Sequence, residues 1–383
     1  MDNNANAKGG KEVRISISAE KLMHALLTVY RAVPPRTPLP ILTGILFETK
    51  ENMLYLTATD MEQSIRTFAP ATVEEPGSAV LPAREITELV RRLHEVSIVK
   101  IETDGQTNTT VISYAQSDLT LHGFSPDEYP SMPETPRDTL VTLPQKLLRK
   151  MLKQVLYAVS TEEHRPVFTG VLFEFTNDNL NLVATDTHRL AMRTTPLEKQ
   201  PNQLINVIVP GKTLNEMSKL LVQEDSDVSI YINENQIFFI LNDIQIVTRL
   251  LAGKFPNYNL VIPQNTSCDV TVNTKELLEA VDRALLLSTP RRQTVFLQMQ
   301  DNTMTVFFNA ETGRIREDLQ VEINGDQLDI GFNGKYLTDA LKTVDSETVT
   351  FQFTGSNTPA LIKPVGQSDY ISVLVPAIPQ KNN

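Results

Sequence analysis

The chain has 383 residues, 41 % apolar and 21 % charged, an ordinary composition for a folded protein with room for about two or three domains. Its one cysteine, Cys268, excludes an internal disulfide framework and fits a reducing, cytoplasmic setting, and no apolar run reaches the roughly eighteen residues of a membrane span. The formal net charge of −11 argues, taken alone, against a partner made of phosphates.

Residues 1–10, MDNNANAKGG, have neither a basic start nor an apolar core, so they read as a short disordered tail and not as a secretion signal. A short alternating strand follows, VRISIS (13–18), and then a helix, AEKLMHALLTVYRAV (19–33). The same opening returns as TLVTLP (139–144) with QKLLRKMLKQVLYAV (145–159), and again as CDVTVN (268–273) with TKELLEAVDRALLL (274–287). In the middle helix Leu147, Leu148, Met151, Leu152, Val155, Leu156 and Val159 fall on one side, the spacing of a helix lying on a sheet.

Behind the opening helix comes a stretch that the chain states twice. Residues 41–65 read ILTGILFETKENMLYLTATDMEQSI, and 126 positions later 167–191 read VFTGVLFEFTNDNLNLVATDTHRLA; from Thr43 to Asp60 ten of eighteen positions are identical. A fainter copy, VFLQMQDNTMTVFFNAETGRIR (295–316), aligns Gly313-Arg314-Ile315 with His188-Arg189-Leu190. A fixed long period of this kind predicts three similar units. Within the copies GVLFEF (170–175) and LNLVAT (180–185), joined by Asn-Asp-Asn, predict a hairpin. Second helices follow at 82–95, 210–223 and 333–344, each ahead of three more strands. The turns FSPDEYPSMP (124–133) and LAGKFPNYNLVIP (251–263) close the first two units, and the joins at 133–138 and 263–267 are short enough to hold neighbours in a fixed arc. The expected fold is α+β, with domains over 11–134, 139–263 and 268–383, each with two helices packed on one face of antiparallel strands.

Charge is unevenly spread. The six helical segments sum to +7, which leaves −18 on the rest, and segment 146–155 alone carries +4 from Lys146, Arg149, Lys150 and Lys153. A basic wall on an acidic protein attracts a phosphate backbone without tight adhesion. The plainer alternative is a set of solvated helix faces, and segment 275–286, at −1, runs against the pattern.

Little in the chain points to catalysis. There is no Gly-rich phosphate loop, no His-Glu-x-x-His and no cysteine pair. Asp60 and Asp186 end strands just after Ala-Thr, where aspartate is a turn former before it is a metal ligand. His188 beside Asp186 suggests a dyad, yet no activated Ser or Cys accompanies it, and the first copy has Glu62 and Gln63 in place of His188 and Arg189. Arg189 is either a solvated loop residue or part of a contact surface. The turn Lys254-Phe255-Pro256-Asn257-Tyr258 is rich in aromatics of the kind that mark docking sites, and the apolar tail running into Ala377-Ile378-Pro379 either frays or lines a pocket.

Taken together, Arg36-Thr-Pro-Leu-Pro-Ile-Leu42, Thr-Gly-x-Leu-Phe-Glu at 43–48 and 169–174, Ala-Thr-Asp-Thr-His-Arg-Leu at 184–190, Phe255-Pro-Asn-Tyr258 and Leu374-Val-Pro376 give the chain its resemblance. Over 11–379 it resembles the bacterial DNA polymerase III β subunit, the sliding clamp. The resemblance implies a head-to-tail homodimer, a closed ring of six domains around double-stranded DNA of any sequence, with no catalysis, cofactor or metal. It implies that the clamp tethers the replicative DNA polymerase through its alpha subunit. The clamp loader and other proteins with clamp-binding peptides are implied as further partners. Their peptide cleft would be made here by Phe168, Thr185, Thr187, His188, Arg189, Leu190, Pro256, Leu260, Val261, Val373, Leu374, Val375, Pro376, Ala377, Ile378 and Pro379. Thr187 stands where the family usually has Gly, and Ala377 and Ile378 replace its usual sulfur-bearing and basic residues. Arg36 matches a DNA-contacting loop arginine; Arg165 lies in the matching loop of the second unit, with Glu162 where the family has Gln. Arg36, Lys146, Arg149, Lys150, Lys153, Arg165 and Lys212 are thus expected to face DNA, and Leu286 and Leu287 to lie at the dimer seam. The competing readings are a clamp paralogue with altered partners, serving repair or drug tolerance, and an α+β enzyme using Asp186 and His188.

Overall fold

Three times the chain runs through a strand, a helix, an antiparallel strand group, a second helix and a closing three-strand meander. The computed structural model describes residues 12–93, 97–198, 204–222 and 224–377. The expected tail 1–10, the helix ends drawn to 95 and 223, and Ile378 and Pro379 lie outside those residues. The first repeat is β1 (Val13–Ser18), α1 (Ala19–Val29), β2 (Gly44–Lys50), β3 (Met53–Thr59), β4 (Gln63–Pro70), β5 (Thr72–Glu75), β6 (Ser78–Pro82), α2 (Ala83–Arg91), β7 (Ile98–Asp104), β8 (Thr109–Tyr114) and β9 (Ser117–His122). The second is β10 (Val141–Pro144), α3 (Gln145–Val155), β11 (Gly170–Phe175), β12 (Asn179–Thr185), β13 (Arg189–Pro196), β14 (Ile205–Pro210), α4 (Gly211–Leu220), β15 (Asp227–Ile232), β16 (Gln236–Leu241) and β17 (Ile244–Arg249). The third is β18 (Cys268–Asn273), α5 (Thr274–Ala284), β19 (Thr294–Gln300), β20 (Thr303–Ala310), β21 (Gly313–Gln320), β22 (Glu322–Gly325), β23 (Leu328–Asn333), α6 (Gly334–Leu341), β24 (Thr348–Phe353), β25 (Ala360–Pro364) and β26 (Tyr370–Leu374).

The opening helices are shorter than their apolar spacing suggests, because each tightens into a single 3-10 turn: Tyr30–Ala32, Leu156–Ala158 and Leu285–Leu287. Their apolar stripes are buried as the spacing requires; in α3 Leu148, Met151, Leu152 and Val155 are all inaccessible to solvent. In the third repeat both helices begin on an asparagine cap. Asn273 accepts from the backbone N–H groups of Lys275 and Glu276, and Asn333 from those of Lys335 and Tyr336.

The repeated Thr-Gly pair has a local cause. Thr43 and Thr169 donate their hydroxyls to the carbonyls of Pro40 (2.7 Å) and Pro166 (2.8 Å), closing the 3-10 turn ahead of the strand. The glycine then lets β11 pass close to β14: a Cβ on Gly170 would sit 2.7 Å from Ile208 and Leu251.

All strand pairs are antiparallel, and the sheets do not respect the repeats. One sheet has the order β10-β15-β16-β17-β4-β3-β2-β6, joining the second repeat's meander to the first repeat's strands. Another runs β14-β11-β12-β13-β26-β25-β24-β18-β22, joining the second repeat to the third. Sheets β5-β1-β7-β8-β9 and β21-β20-β19-β23 belong to the first and third repeats alone. Packing therefore divides the chain into two compact units, one of residues up to Lys146 with Lys219–Arg249, the other of Leu147–Ser218 with residues from Leu250 onward. The cut falls inside α3 and α4, because half of the second repeat hydrogen-bonds to each neighbour.

The ladder also corrects the alignment of the faint third copy. Leu297 pairs with Val306 as Phe173 pairs with Leu182, and Asn309 with Arg314 as Thr185 with Leu190. Gly313, and not Arg314, therefore takes the place of Arg189. A one-residue slip is invisible in so divergent a sequence, yet in a strand it turns every side chain to the other face.

Candidate functional site

The Ala-Thr-Asp that ends β3 and β12 builds a turn. Thr185 Oγ1 donates to the Arg189 carbonyl (2.7 Å) and accepts from the Thr187 N–H (3.1 Å), while Asp186 Oδ1 accepts from the N–H groups of His188 and Arg189, both at 3.0 Å. Thr59 and Asp60 repeat these bonds around Met61–Gln63. The middle residue is driven into the left-handed region in both turns, at φ 76° for Met61 and 75° for Thr187, an unfavourable place for a β-branched residue. Both aspartates are turn formers, and the turn in the second repeat presents Thr187 and Arg189 to a cavity.

That cavity, about 240 Å³, lies within the second compact unit and is lined by Phe168, Thr185, Thr187, Arg189, Leu190, Phe255, Pro256, Asn257, Tyr258, Val261, Pro359, Val373 and Val375. Its floor is apolar: Leu172, Val183, Leu190, Ile208, Phe255, Tyr258, Leu361 and Val373 form one buried cluster. The rings of Phe168 and Phe255 meet edge to face, centroids 6.4 Å apart. Tyr258 is fixed by donating its hydroxyl to Glu174 Oε2 (2.6 Å); burial, and then that carboxylate, push its phenol well above the usual range, so it stays a neutral donor.

Arg189 is no solvated loop residue. Its side chain is 10 % exposed, with Nε 3.0 Å from Asp186 Oδ2 and Nη1 2.7 Å from Asp339 Oδ2 on α6. The guanidinium also lies over the rings of Tyr336 (4.4 Å) and Tyr157 (5.3 Å). Tyr157 in turn bonds Ser372 (2.7 Å) and Tyr370 (3.2 Å), which anchors β26, and burial raises its phenol pKa. With its charge matched by two carboxylates, Arg189 offers the cavity a rigid edge instead of a free cation.

Of the expected cleft residues, Phe168, Thr185, Thr187, Arg189, Leu190, Pro256, Val261, Val373 and Val375 meet around this cavity. The others that fall among the described residues do not line it. Leu374 alternates away from Val373 and Val375 and is buried in the third repeat's core. His188 stacks on Tyr336 (centroids 6.0 Å), and its carbonyl accepts from the Val375 N–H (2.9 Å). Leu260 stands 82 % exposed beside Val261. Pro376 follows Val375, and the Ala377 N–H donates to the Gly331 carbonyl (2.8 Å). Phe255, Asn257, Tyr258 and Pro359 line the cavity without having been assigned to it; the aromatic turn at 254–258 was the available signal, and nothing marks Pro359. The Asp186–His188 dyad of the enzyme reading does not form, since Asp186 is spent on the turn and on Arg189.

On α3, Lys146, Arg149, Lys150 and Lys153 occupy one face at helical spacing, with Lys146 and Lys153 exposed. Lys150 is tied to Asp345 (3.0 Å). Arg36 is exposed in the loop after α1, Lys212 is exposed in the first turn of α4, and Arg165 is exposed with Glu162 3.9 Å away. Leu286 is 81 % exposed, while Leu287 packs against the third repeat's core. No helix among the described residues is long and apolar enough to cross a membrane.

Models of the DNA polymerase III beta subunit match in order along the chain: the N-terminal domain over residues 13–133, the central domain over 142–257 and the C-terminal domain over 259–378. The beta sliding clamp of Halalkalibacterium halodurans is 39 % identical over 362 residues, covering 91 % of this chain and 95 % of the relative. That of Bacillus subtilis is 34 % identical over 376 residues, 95 % and 99 % of the two chains. The crystal structure of the Bacillus subtilis sliding clamp superposes with a TM-score of 0.93 over 96 % of this chain and 100 % of that one. The chain belongs to the bacterial DNA polymerase III beta subunit family, the beta sliding clamps.

Proposed function

We propose that the protein works as a processivity clamp: it encircles duplex DNA, binds it without reading sequence, and tethers the polymerase that copies it. It is a non-catalytic accessory subunit. Sliding requires many weak phosphate contacts and no base readout, which suits the basic face of α3 on a chain of net charge −11. Arg36, Lys146, Arg149, Lys150, Lys153, Arg165 and Lys212 are the residues we place toward DNA. We take the domains as 11–134, 139–263 and 268–383 and the active form as a homodimer; two three-domain chains make the six-domain ring by a heterologous contact that closes. Leu286, exposed at the end of α5, belongs on that seam.

The apolar cavity carries the tethering half of this reading. At about 240 Å³ it is smaller than pockets that enclose drug-sized molecules, and its size suits the anchoring side chains of a peptide whose remainder lies outside. We assign it to short linear peptides of the replicative polymerase alpha subunit, the clamp loader and other replication or repair proteins. The apolar wall selects aliphatic and aromatic anchors, and Arg189, already neutralised, adds no preference for acidic ones. Titration of a fluorescent clamp-binding peptide from the replicative polymerase tests the assignment. Binding should weaken at least about tenfold in Phe168→Ala and in Val375→Asp. A parent protein that ignored the peptide would end the assignment.

A further inference from the structure

Two junctions inside the chain use one ladder register, yet their helical sides are filled differently. In the first, β4 pairs with β17, from Gln63↔Thr248 to Thr67↔Ile244; in the second, β13 pairs with β26, from Arg189↔Leu374 to Arg193↔Tyr370. A shift of 126 carries one onto the other. The opening helices obey the same shift, so His24, Thr28 and Arg31 of α1 correspond to Lys150, Gln154 and Tyr157. The second helices align through Gly211-Lys212 and Gly334-Lys335, so Leu220 and Val222 correspond to Thr343 and Asp345.

In the second junction the space between these elements is full. Tyr157 and Tyr370 meet hydroxyl to hydroxyl (3.2 Å), Thr343 Oγ1 lies 2.8 Å from the Tyr370 hydroxyl, and Gln154 Nε2 donates to the Thr343 carbonyl (3.4 Å). Lys150 and Asp345 pair at 3.0 Å. In the first junction Arg31 stands for Tyr157 and Ile244 for Tyr370, while Leu220 and Val222 stand for Thr343 and Asp345. Ile244, Leu220 and Val222 have no polar side-chain atoms with which to repeat those bonds. A cavity of about 460 Å³ remains there, nearly twice the volume of the peptide cavity at about 240 Å³. All its lining residues belong to the first compact unit, whereas the peptide cavity lies in the second.

The walls are held by bonds of their own, so the space is preformed. Gln145, buried between strand and helix, donates from Nε2 to the Asp227 carbonyl (3.0 Å) and accepts at Oε1 from the Val222 N–H (3.1 Å). Thr28 Oγ1 donates to the His24 carbonyl (2.9 Å), and Thr67 Oγ1 to Asp243 Oδ2 (3.4 Å). The lining then combines two chemistries. Leu27, Leu220 and Val222 supply apolar surface, with Leu27 39 % and Val222 37 % exposed. His24, Arg31 and Lys219 supply basic groups against a single carboxylate, Asp243, on a chain of net charge −11.

We propose that this cavity is a binding site for a nucleoside monophosphate. Its volume falls in the range of about 300–1,000 Å³ that holds small ligands. A bare anion would leave the aliphatic surface wet, and an apolar molecule would leave the basic groups unused. A nucleotide meets both, with its phosphate beside the guanidinium of Arg31 and the ammonium of Lys219 and its base against the aliphatic side chains. Asn242, exposed at the tip of the β16–β17 hairpin, brings an amide that both donates and accepts, as the edge of a base requires. Duplex DNA, with its bases stacked out of reach, offers the cavity phosphate alone.

The test is calorimetric titration of the full chain at low salt with deoxyadenosine 5′-monophosphate, with deoxyadenosine and with inorganic phosphate. The nucleotide should bind at least about tenfold more tightly than either fragment. The triple variant Arg31→Tyr, Leu220→Thr, Ile244→Tyr installs the filling of the second junction and should abolish nucleotide binding while keeping the parent's peptide titration. Lys219→Gln, at an exposed position that folding tolerates, should by itself weaken the nucleotide about tenfold. Equal binding of nucleotide and phosphate would reduce the cavity to a phosphate contact and overturn the assignment. So would nucleotide binding that survived Lys219→Gln unchanged, or a parent protein that ignored the nucleotide at millimolar concentration.

Discussion

Arg189 shows most plainly what a single residue does here. It joins a turn in the second repeat to a helix in the third, its partner Asp339 lying 150 positions away. Asp186 and Asp339 are 12 % and 28 % exposed, so removing the guanidinium strands two poorly solvated carboxylates and uncovers two tyrosine rings. We expect Arg189→Met to lose about 3 kcal/mol of unfolding free energy, read from urea denaturation, and to weaken peptide binding as the cavity edge relaxes. Sequence inspection left this residue open between solvent and contact, because nothing local distinguishes the two. By contrast, Asp60 and Asp186 were legible as turn formers, since their bonds run to residues two and three positions on.

At the scale of elements, strand and helix order was readable because the apolar period changes from two to about three and a half wherever the backbone changes type. Helix ends were less readable: a final 3-10 turn carries the same apolar stripe as the helix it follows. The fastening of α5 to β21 was not readable at all. Arg283 donates from Nε and Nη2 to both oxygens of Glu317, at 2.7 and 2.6 Å, and these hydrogen bonds hold the Glu317 carboxyl below the usual range. A folded-state value below the unfolded one means that the tie stabilises above the ordinary glutamate range and is lost as pH falls through the lowered value. Parent and Arg283→Gln should therefore differ in stability at neutral pH and converge in acid. A difference that persisted at the acid end would show that Arg283 acts by packing alone.

For the whole molecule, the sign of the total charge misleads and its distribution informs. Replacing Lys146, Arg149, Lys150 and Lys153 by Gln removes four positive charges from one helix face. DNA affinity should then fall uniformly across sequences, and the slope of log K against log salt should flatten by up to about three, Lys150 counting least because Asp345 already holds it. Unchanged salt dependence in that variant would remove α3 from the DNA-facing surface.

By itself the amino-acid sequence determined the number of repeats, their order of elements, the turns, the basic helix and the family, because each of these is written in local spacing or in near-identical words. Tertiary structure alone decided which strand lies beside which across repeats, that Leu374 turns into a core while Val373 and Val375 face the cavity, that Arg189 is sandwiched and charge-matched, and that β9 and β21 are left as open edges. The physical reason is one of range. Periodicity and turn chemistry act over a few residues, whereas strand neighbours and buried ion pairs are chosen by surfaces that meet only after well over a hundred residues of chain have folded between them.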